Sequence, residues 1–371
     1  MIYLDYNATT PIDPKVADAM IPNIRNVYGN PSSSHELGLQ AKSVVEESRA
    51  KVAALLGCHP DEIVFTSGGS ESNNYIIKGA AHAYKSRGNH IITSITEHPS
   101  VLNPCRYLES LGYRISYAPV DEYGVVRVDE IERLITEETI LVSIMHANNE
   151  TGTIQPINEI SKICKKHGAL LHTDAAQSIG KIKVNVDDLG VDFLTLAGHK
   201  LYAPKGIGAA FVRKGIVIEP LIHGAGHESG RRAGTENVMF EAALGKACEI
   251  AGNELIESGV RELTEYFYKN LKAQFADKIT LNGHPAKKLP NTLNIGFLGY
   301  EGHSILGKLN NVAASTGSAC HSGLTSISPV LKAMGTDEKA ARGAIRFSLG
   351  RFTTKDEIDS VISHLAVICK V

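Results

Sequence analysis

Lys200 stands in LAGHKLYAPKGIGAAFV, between an apolar run and a turn rich in Gly and Pro. Such a turn would hold the amine at the end of a sheet, where a lysine can form a Schiff base with an aldehyde cofactor. By itself a lysine in a glycine-rich loop is more often a solvated surface charge, so other segments must carry the reading. ALLHTDAAQS places Asp174 just past a β-type run, so that Asp174 and Lys200 fall near the carboxyl ends of neighbouring strands, where open α/β sheets bind ligands. A carboxylate there can hold a pyridinium nitrogen protonated and keep pyridoxal phosphate an electron sink; the alternative is an Asp that caps the following helix. Gln177, one turn further on, is within reach of the cofactor's phenolic oxygen.

FTSGGSESNN has the form strand, Gly-rich turn, helix, so the N–H groups at Gly69 and Ser70 and the Ser70 hydroxyl would face an anion at a helix N-terminus. TEHPSVLNP puts His98 after another strand end, where an imidazole can stack on a flat ring and move protons near neutral pH; a helix-start histidine with no task is the bland alternative. In ASTGSACHSG, Cys320 lies among small residues suited to a loop rather than a core, which makes it the cysteine expected to act as a nucleophile. The adjacent Cys320 and His321 lack the ligand number and spacing of a zinc site, and no metal is expected. Arg346 sits in the alternating run AIRFSL, from which its guanidinium can grip a substrate carboxylate; Arg351, after the Gly, is read as structural or solvated.

These residues need a scaffold. Strand-like runs start at Glu62, His90, Arg114, Thr139, Ala169, Asp192 and Gly208, with helical patterns such as NNYIIKGAAHAYKSR and INEISKICKKHG among the earlier ones. That alternation predicts an α/β fold with a mostly parallel seven-stranded sheet, and the tighter spacing after Asp174 predicts an added antiparallel strand. A long helix around Glu254 to Phe275 and shorter strands in KITLNG, LNIGF and AIRFSL then predict a smaller α+β domain. With 371 residues two domains are expected: 13–252, and a smaller one built from 1–12 and 253–371 that carries the Cys320 loop. A charged fraction of 21% and a net charge of −2 speak against a nucleic-acid partner. No window is apolar enough for a membrane span and the N-terminus lacks a signal-peptide pattern, so a cytoplasmic protein is expected. Six cysteines without paired spacing predict reduced thiols, most of them packed as small hydrophobes.

Taken in order, YLDYNATTP, GNPSSSH, FTSGGSESNN, EHPSV, HANNETGTIQP, HTDAAQS, GHKLYAPKG, RRAGTEN, STGSACHS and IRFSLGRFT resemble the cysteine desulfurases of the class V aminotransferase family, more closely the NifS/IscS group than the SufS group. The resemblance covers nearly the whole chain and implies a fold-type-I pyridoxal 5'-phosphate enzyme that works as a homodimer. It makes Lys200 the Schiff-base lysine, His98 the ring-stacking acid/base, Asp174 the pyridine partner and Gln177 the phenolate contact. It gives phosphate contacts to Gly69, Ser70 and His199, a cofactor or substrate contact to Asn149, substrate carboxylate contacts to Arg346 and Asn30, and the persulfide-forming nucleophile to Cys320. Thr235 would reach the phosphate of the partner subunit. The implied reaction takes L-cysteine to L-alanine and passes sulfur to an acceptor protein in iron–sulfur cluster assembly or a thiolation pathway. Selenocysteine lyase, class V aminotransferase and an inactive sulfur-transfer scaffold are the rival readings. Ala197, Ala203, Ala225 and His227 depart from the family's pattern and bear on cofactor affinity. With the last helical pattern ending close to Val371, the longer C-terminal tail by which some members hold a scaffold protein is expected to be reduced.

Overall fold

The computed structural model describes residues 1–254, 257–316 and 327–370. Cys320 and the rest of GSACHSG therefore lie outside the described residues. The chain opens with the short strand β1 (Ile2–Tyr3), and the seven runs singled out above follow as β2 (Ile63–Thr66), β3 (His90–Ser94), β4 (Arg114–Ala118), β5 (Thr139–Ser143), β6 (Leu170–Asp174), β7 (Phe193–Ala197) and β8 (Gly208–Val212). They form one sheet in the order β2-β8-β7-β6-β5-β3-β4. Within it β8 runs antiparallel to both β2 and β7, and the remaining pairs are parallel.

Successive strand residues point to opposite faces, and the packing follows that period of two. Ile92, Val142 and Leu194 join one core, which the helices Glu36–Leu56, Ile157–His167 and Val238–Asn253 cover with Val52, Ile160 and Leu244. Their neighbours Ile91, Leu141 and Phe193 join the core on the other face, beneath the helices Gly69–Ala83 and Pro99–Ser110. Burial on both faces is why these strands read as continuous apolar runs. The helix Ile157–His167 ends at Gly168 with φ 69°, the left-handed geometry glycine adopts without cost. The other sequence pattern begins late by comparison: its helix starts at Gly69, because Gly68 (φ 149°, ψ −178°) makes a turn open only to glycine and the polar Ser-Glu-Ser stretch supplies the first turn.

A second core gathers around the antiparallel strands β9 (Ile279–Asn282), β10 (Thr292–Phe297) and β12 (Ala344–Ser348), with the helices Glu257–Phe275 and Lys355–Ile368 against them. The N-terminal segment packs here: Leu4 is buried in this core, β1 pairs with β11 (Val312–Ala313), and Asp5 bridges to Ser348. The chain from Asp5 to Thr10 thus passes between β12 and the carboxyl edge of the large sheet, with Thr10 N–H donating to the His199 carbonyl at 2.9 Å. Among the described residues no helix is long and apolar enough to cross a membrane.

Candidate active site

The strands β2, β3, β5, β6 and β7 all point their carboxyl ends to one edge, and the segments leaving them enclose a cavity of about 700 Å³. Ser67 to Glu71 follow β2, His98 and Ser100 follow β3, Ala147 and Asn149 follow β5, Asp174 ends β6 with Ala176 and Gln177 after it, and Ala197 ends β7 with His199 and Lys200 after it. Asn7, Ala8, Thr9 and Arg346 close it from the side of the second core. Of the residues predicted from sequence, Lys200, Gly69, Ser70, His98, Asn149, Asp174, Gln177, His199 and Arg346 line this one cavity.

Lys200 ends the short turn Gly198–Lys200 just after β7. Its Nζ donates to the carbonyls of Asn7 at 2.5 Å and Ala8 at 2.7 Å. Tyr202, two residues on, is held at φ 61°, a left-handed backbone unusual for an aromatic residue. The Thr10 hydroxyl 2.9 Å from its N–H and the Arg351 N–H on its phenol at 2.7 Å hold the conformation, which fixes the turn that aims Lys200. Arg351 also pairs with Asp13 at 2.6 Å, a structural task in keeping with its reading from sequence.

Asp174 is buried and accepts the Asn73 amide at 2.7 Å and the Ala176 N–H at 2.9 Å, so it steadies a turn while it faces the cavity. Gln177 donates through Nε2 to the Asn7 carbonyl at 3.0 Å. Arg346 donates to the Asn149 carbonyl at 2.9 Å and to Asp5 at 2.6 Å, while its buried Nε has no partner. At the Gly69 end a Cβ would come within 3.2 Å of the Ala197 methyl, a tight contact in the first turn of the helix Gly69–Ala83.

Burial pushes the Lys200 amine down to about 8, and Arg346 pushes the same way while Asp174 and Asp5 oppose it. Burial, together with Lys200, Lys205 and His98, takes His199 down to about 4, so its ring is neutral; its Nδ1 lies 3.2 Å from the Thr9 hydroxyl. The chemistry open to this arrangement is an anion at the Gly69 helix terminus, a carbonyl carbon at the Lys200 amine, a ring nitrogen at Asp174 and a carboxylate at the Arg346 guanidinium.

Two predicted residues lie elsewhere. Asn30 is exposed and caps its own turn, accepting the Ser32 N–H at 2.9 Å. Thr235 lines a smaller neighbouring cavity that shares Ser67, Gly206 and Ile207 with the main one. Cys320 is outside the described residues. None of the five described cysteines lines the main cavity; four are buried, and burial raises the thiols of Cys58, Cys105 and Cys164 to about 12.

Sequence reasoning missed the residues behind the front row. Asn7 ties the elements together: besides serving Lys200 and Gln177, its Nδ2 donates to Thr292 at 2.9 Å and its Oδ1 accepts from Lys181 at 2.9 Å and Asn291 at 3.1 Å. Lys181 is buried, and burial, with Lys200 and Arg346 adding to it, holds its amine well below the ordinary lysine range. The only sequence signal for these groups was their place inside the quoted motifs YLDYNATTP and SGGSESNN, or, for Lys181, a cation amid apolar residues.

Comparisons with known proteins give the family. The family model described as aminotransferase class-V matches residues 2–361. The cysteine desulfurase IscS of Dictyoglomus turgidum is 48% identical over 98% of this chain and 93% of its own length. Among solved structures, a NifS-like protein superposes with a TM-score of 0.93 at 39% identity, covering 100% of this chain and 99% of its own. The structure of SspA in complex with cysteine gives a TM-score of 0.84 at 36% identity over 95% of this chain and 100% of its own. The chain belongs to the class-V aminotransferase family and, within it, to the NifS/IscS-type cysteine desulfurases.

Proposed function

We propose that this protein converts L-cysteine to L-alanine and carries the sulfur as a persulfide on Cys320, with pyridoxal phosphate held at Lys200. The observation that carries the reading is the convergence on one cavity of an amine with a lowered pKa, a buried carboxylate and an arginine with an unpartnered buried N–H. These groups fit the cofactor and an amino-acid substrate: Lys200 would hold the aldehyde, Asp174 the ring nitrogen, Gln177 the phenolic oxygen, and Gly69, Ser70 and His199 the phosphate. Arg346, with Asn149, would receive the substrate carboxylate. When bound, the cofactor supplies an electron sink for the carbanion left by loss of the Cα proton.

The chain's own residues do the rest. Near neutral pH an appreciable share of the Lys200 amine is unprotonated, so it can serve as nucleophile and then as base at Cα. The Cys320 thiolate attacks the substrate sulfur; the S–S bond forms as the Cβ–S bond breaks, the electron pair left on Cβ takes a proton, and the return of a proton from Lys200 to Cα gives alanine. The names of the relatives support cysteine over selenocysteine as substrate. We further read residues 13–252 as the cofactor-binding domain and 1–12 with 253–371 as the small domain, in a cytoplasmic homodimer where Thr235 serves the partner's phosphate. The sulfur would pass to an acceptor protein of iron–sulfur assembly or thiolation. Mass spectrometry of the Cys320 peptide after L-cysteine treatment tests this: one added sulfur atom on Cys320 is expected, and sulfur on another cysteine or on none would refute it.

A further inference from the structure

His98 is the N-cap of the helix Pro99–Ser110, and its Nδ1 accepts the backbone N–H of Ser100 at 3.2 Å. The Ser100 Oγ lies 2.8 Å from the same nitrogen. Behind it, Asn73 is wholly buried and donates through Nδ2 to the Ser100 Oγ at 2.8 Å and to Asp174 Oδ2 at 2.7 Å. The Asp174 carboxylate, which only accepts, fixes which end of the Asn73 amide is nitrogen. With Asn73 donating to its oxygen, the Ser100 hydroxyl is left to turn its own proton toward His98. Two donors thus converge on Nδ1, and a ring nitrogen that accepts a backbone N–H carries no proton of its own. The ring proton of neutral His98 therefore sits on Nε2. Protonating Nδ1 would set donor against donor and put a cation at a helix N-terminus, where the dipole opposes it.

We propose that Ser100 and Asn73 are positioning residues that hold His98 as the neutral Nε2–H tautomer, so that His98 presents a hydrogen-bond donor, and no basic nitrogen, to the reacting substrate and removal of the Cα proton falls to Lys200. The direction of proton transfer rests on the desulfurase reading; the tautomer does not. The groups facing the ring pull in different directions. Desolvation lowers the imidazole, Asp174 raises it and Lys200 lowers it again, while His199 beside it is neutral.

The test is the pair of ring ¹⁵N shifts of His98 in histidine-labelled holoenzyme, assigned as the resonances lost in His98→Gln. At neutral pH, Nδ1 is expected to be bare and Nε2 protonated. Ser100→Ala removes one donor to Nδ1, so its titration midpoint moves up from that of the wild type, while Ser100→Thr, which keeps the hydroxyl, titrates as the wild type does. A proton on Nδ1 in the wild type, an unmoved midpoint in Ser100→Ala, or Ser100→Thr shifting as far as Ser100→Ala overturns the assignment. The expected shifts in an enzyme that yields no alanine from cysteine would retire the desulfurase reading and leave the tautomer standing.

Discussion

At the scale of single residues, the site depends on taking charges out of water and choosing what faces them. Lys200 shows the balance: lost hydration and the Arg346 guanidinium lower its amine to about 8, and Asp174 and Asp5 recover only part of the shift. A lysine must be neutral to attack an aldehyde, so apoprotein should take up pyridoxal phosphate faster as pH rises through about 8, followed as the growth of the bound cofactor's absorbance. A rate that stays flat there and climbs only near the ordinary lysine value of about 10.4 would show an unperturbed amine. Lys200→Arg should take up no cofactor covalently, since guanidinium does not deprotonate. The front-row residues were legible because each follows an apolar run that ends in Gly, Asp or His, a pattern that places side chains at a strand's carboxyl end. Asn7, Asn73 and Lys181 were not, because the meaning of a buried polar side chain lies in the group opposite it, and Asn7 serves partners from Asn149 to Ser348.

At the scale of elements, buried polar contacts clamp the segments that frame the cavity. Arg49, on the helix Glu36–Leu56, meets Glu228 in a two-pronged contact of 2.7 and 2.8 Å, and Glu228 also accepts the Phe65 N–H of β2 at 2.9 Å. Glu228→Ala leaves a buried guanidinium without its counter-charge and should cost about 3–5 kcal/mol in denaturant unfolding; a loss under about 1 kcal/mol would mean the pair is not clamped. Glu150 joins the segment after β5 to Ser328, the cap of the helix Pro329–Ala333, which donates to it at 2.5 Å. Burial raises this carboxyl to about 7, with Ser328 and Arg346 opposing the rise. The folded state then binds more protons than the unfolded one between about pH 4.5 and 7, so the stability of the wild type falls as pH rises through that window. Glu150→Gln should match the wild type's melting temperature at pH 5 and exceed it at pH 8, and equal melting temperatures at both would contradict the raised pKa. The strands themselves were readable from sequence since both faces are covered, but their order was not: β3 lies between β5 and β4, a pairing that long connections decide.

At the scale of the whole molecule, one chain brings most of the cavity's lining from two cores, with the Asp5 to Thr10 segment running between them. Thr235 lines a neighbouring cavity. If Thr235 completes the partner's site, dimers mixed from Lys200→Ala and Thr235→Asp chains each contain one intact site, and activity should return on mixing two inactive proteins; no recovery would place each site within one chain. The fold class was legible because so many segments keep their order and spacing, whereas subunit contacts leave little trace in the periodicity of a single chain. The central claim is desulfuration through Cys320, and its most direct test is alanine and sulfide release from L-cysteine with reductant and pyridoxal phosphate, for wild type, Cys320→Ala and Lys200→Ala. The account predicts equal amounts of both products from wild type and neither from the variants; sulfide from Cys320→Ala at the wild-type rate would contradict it.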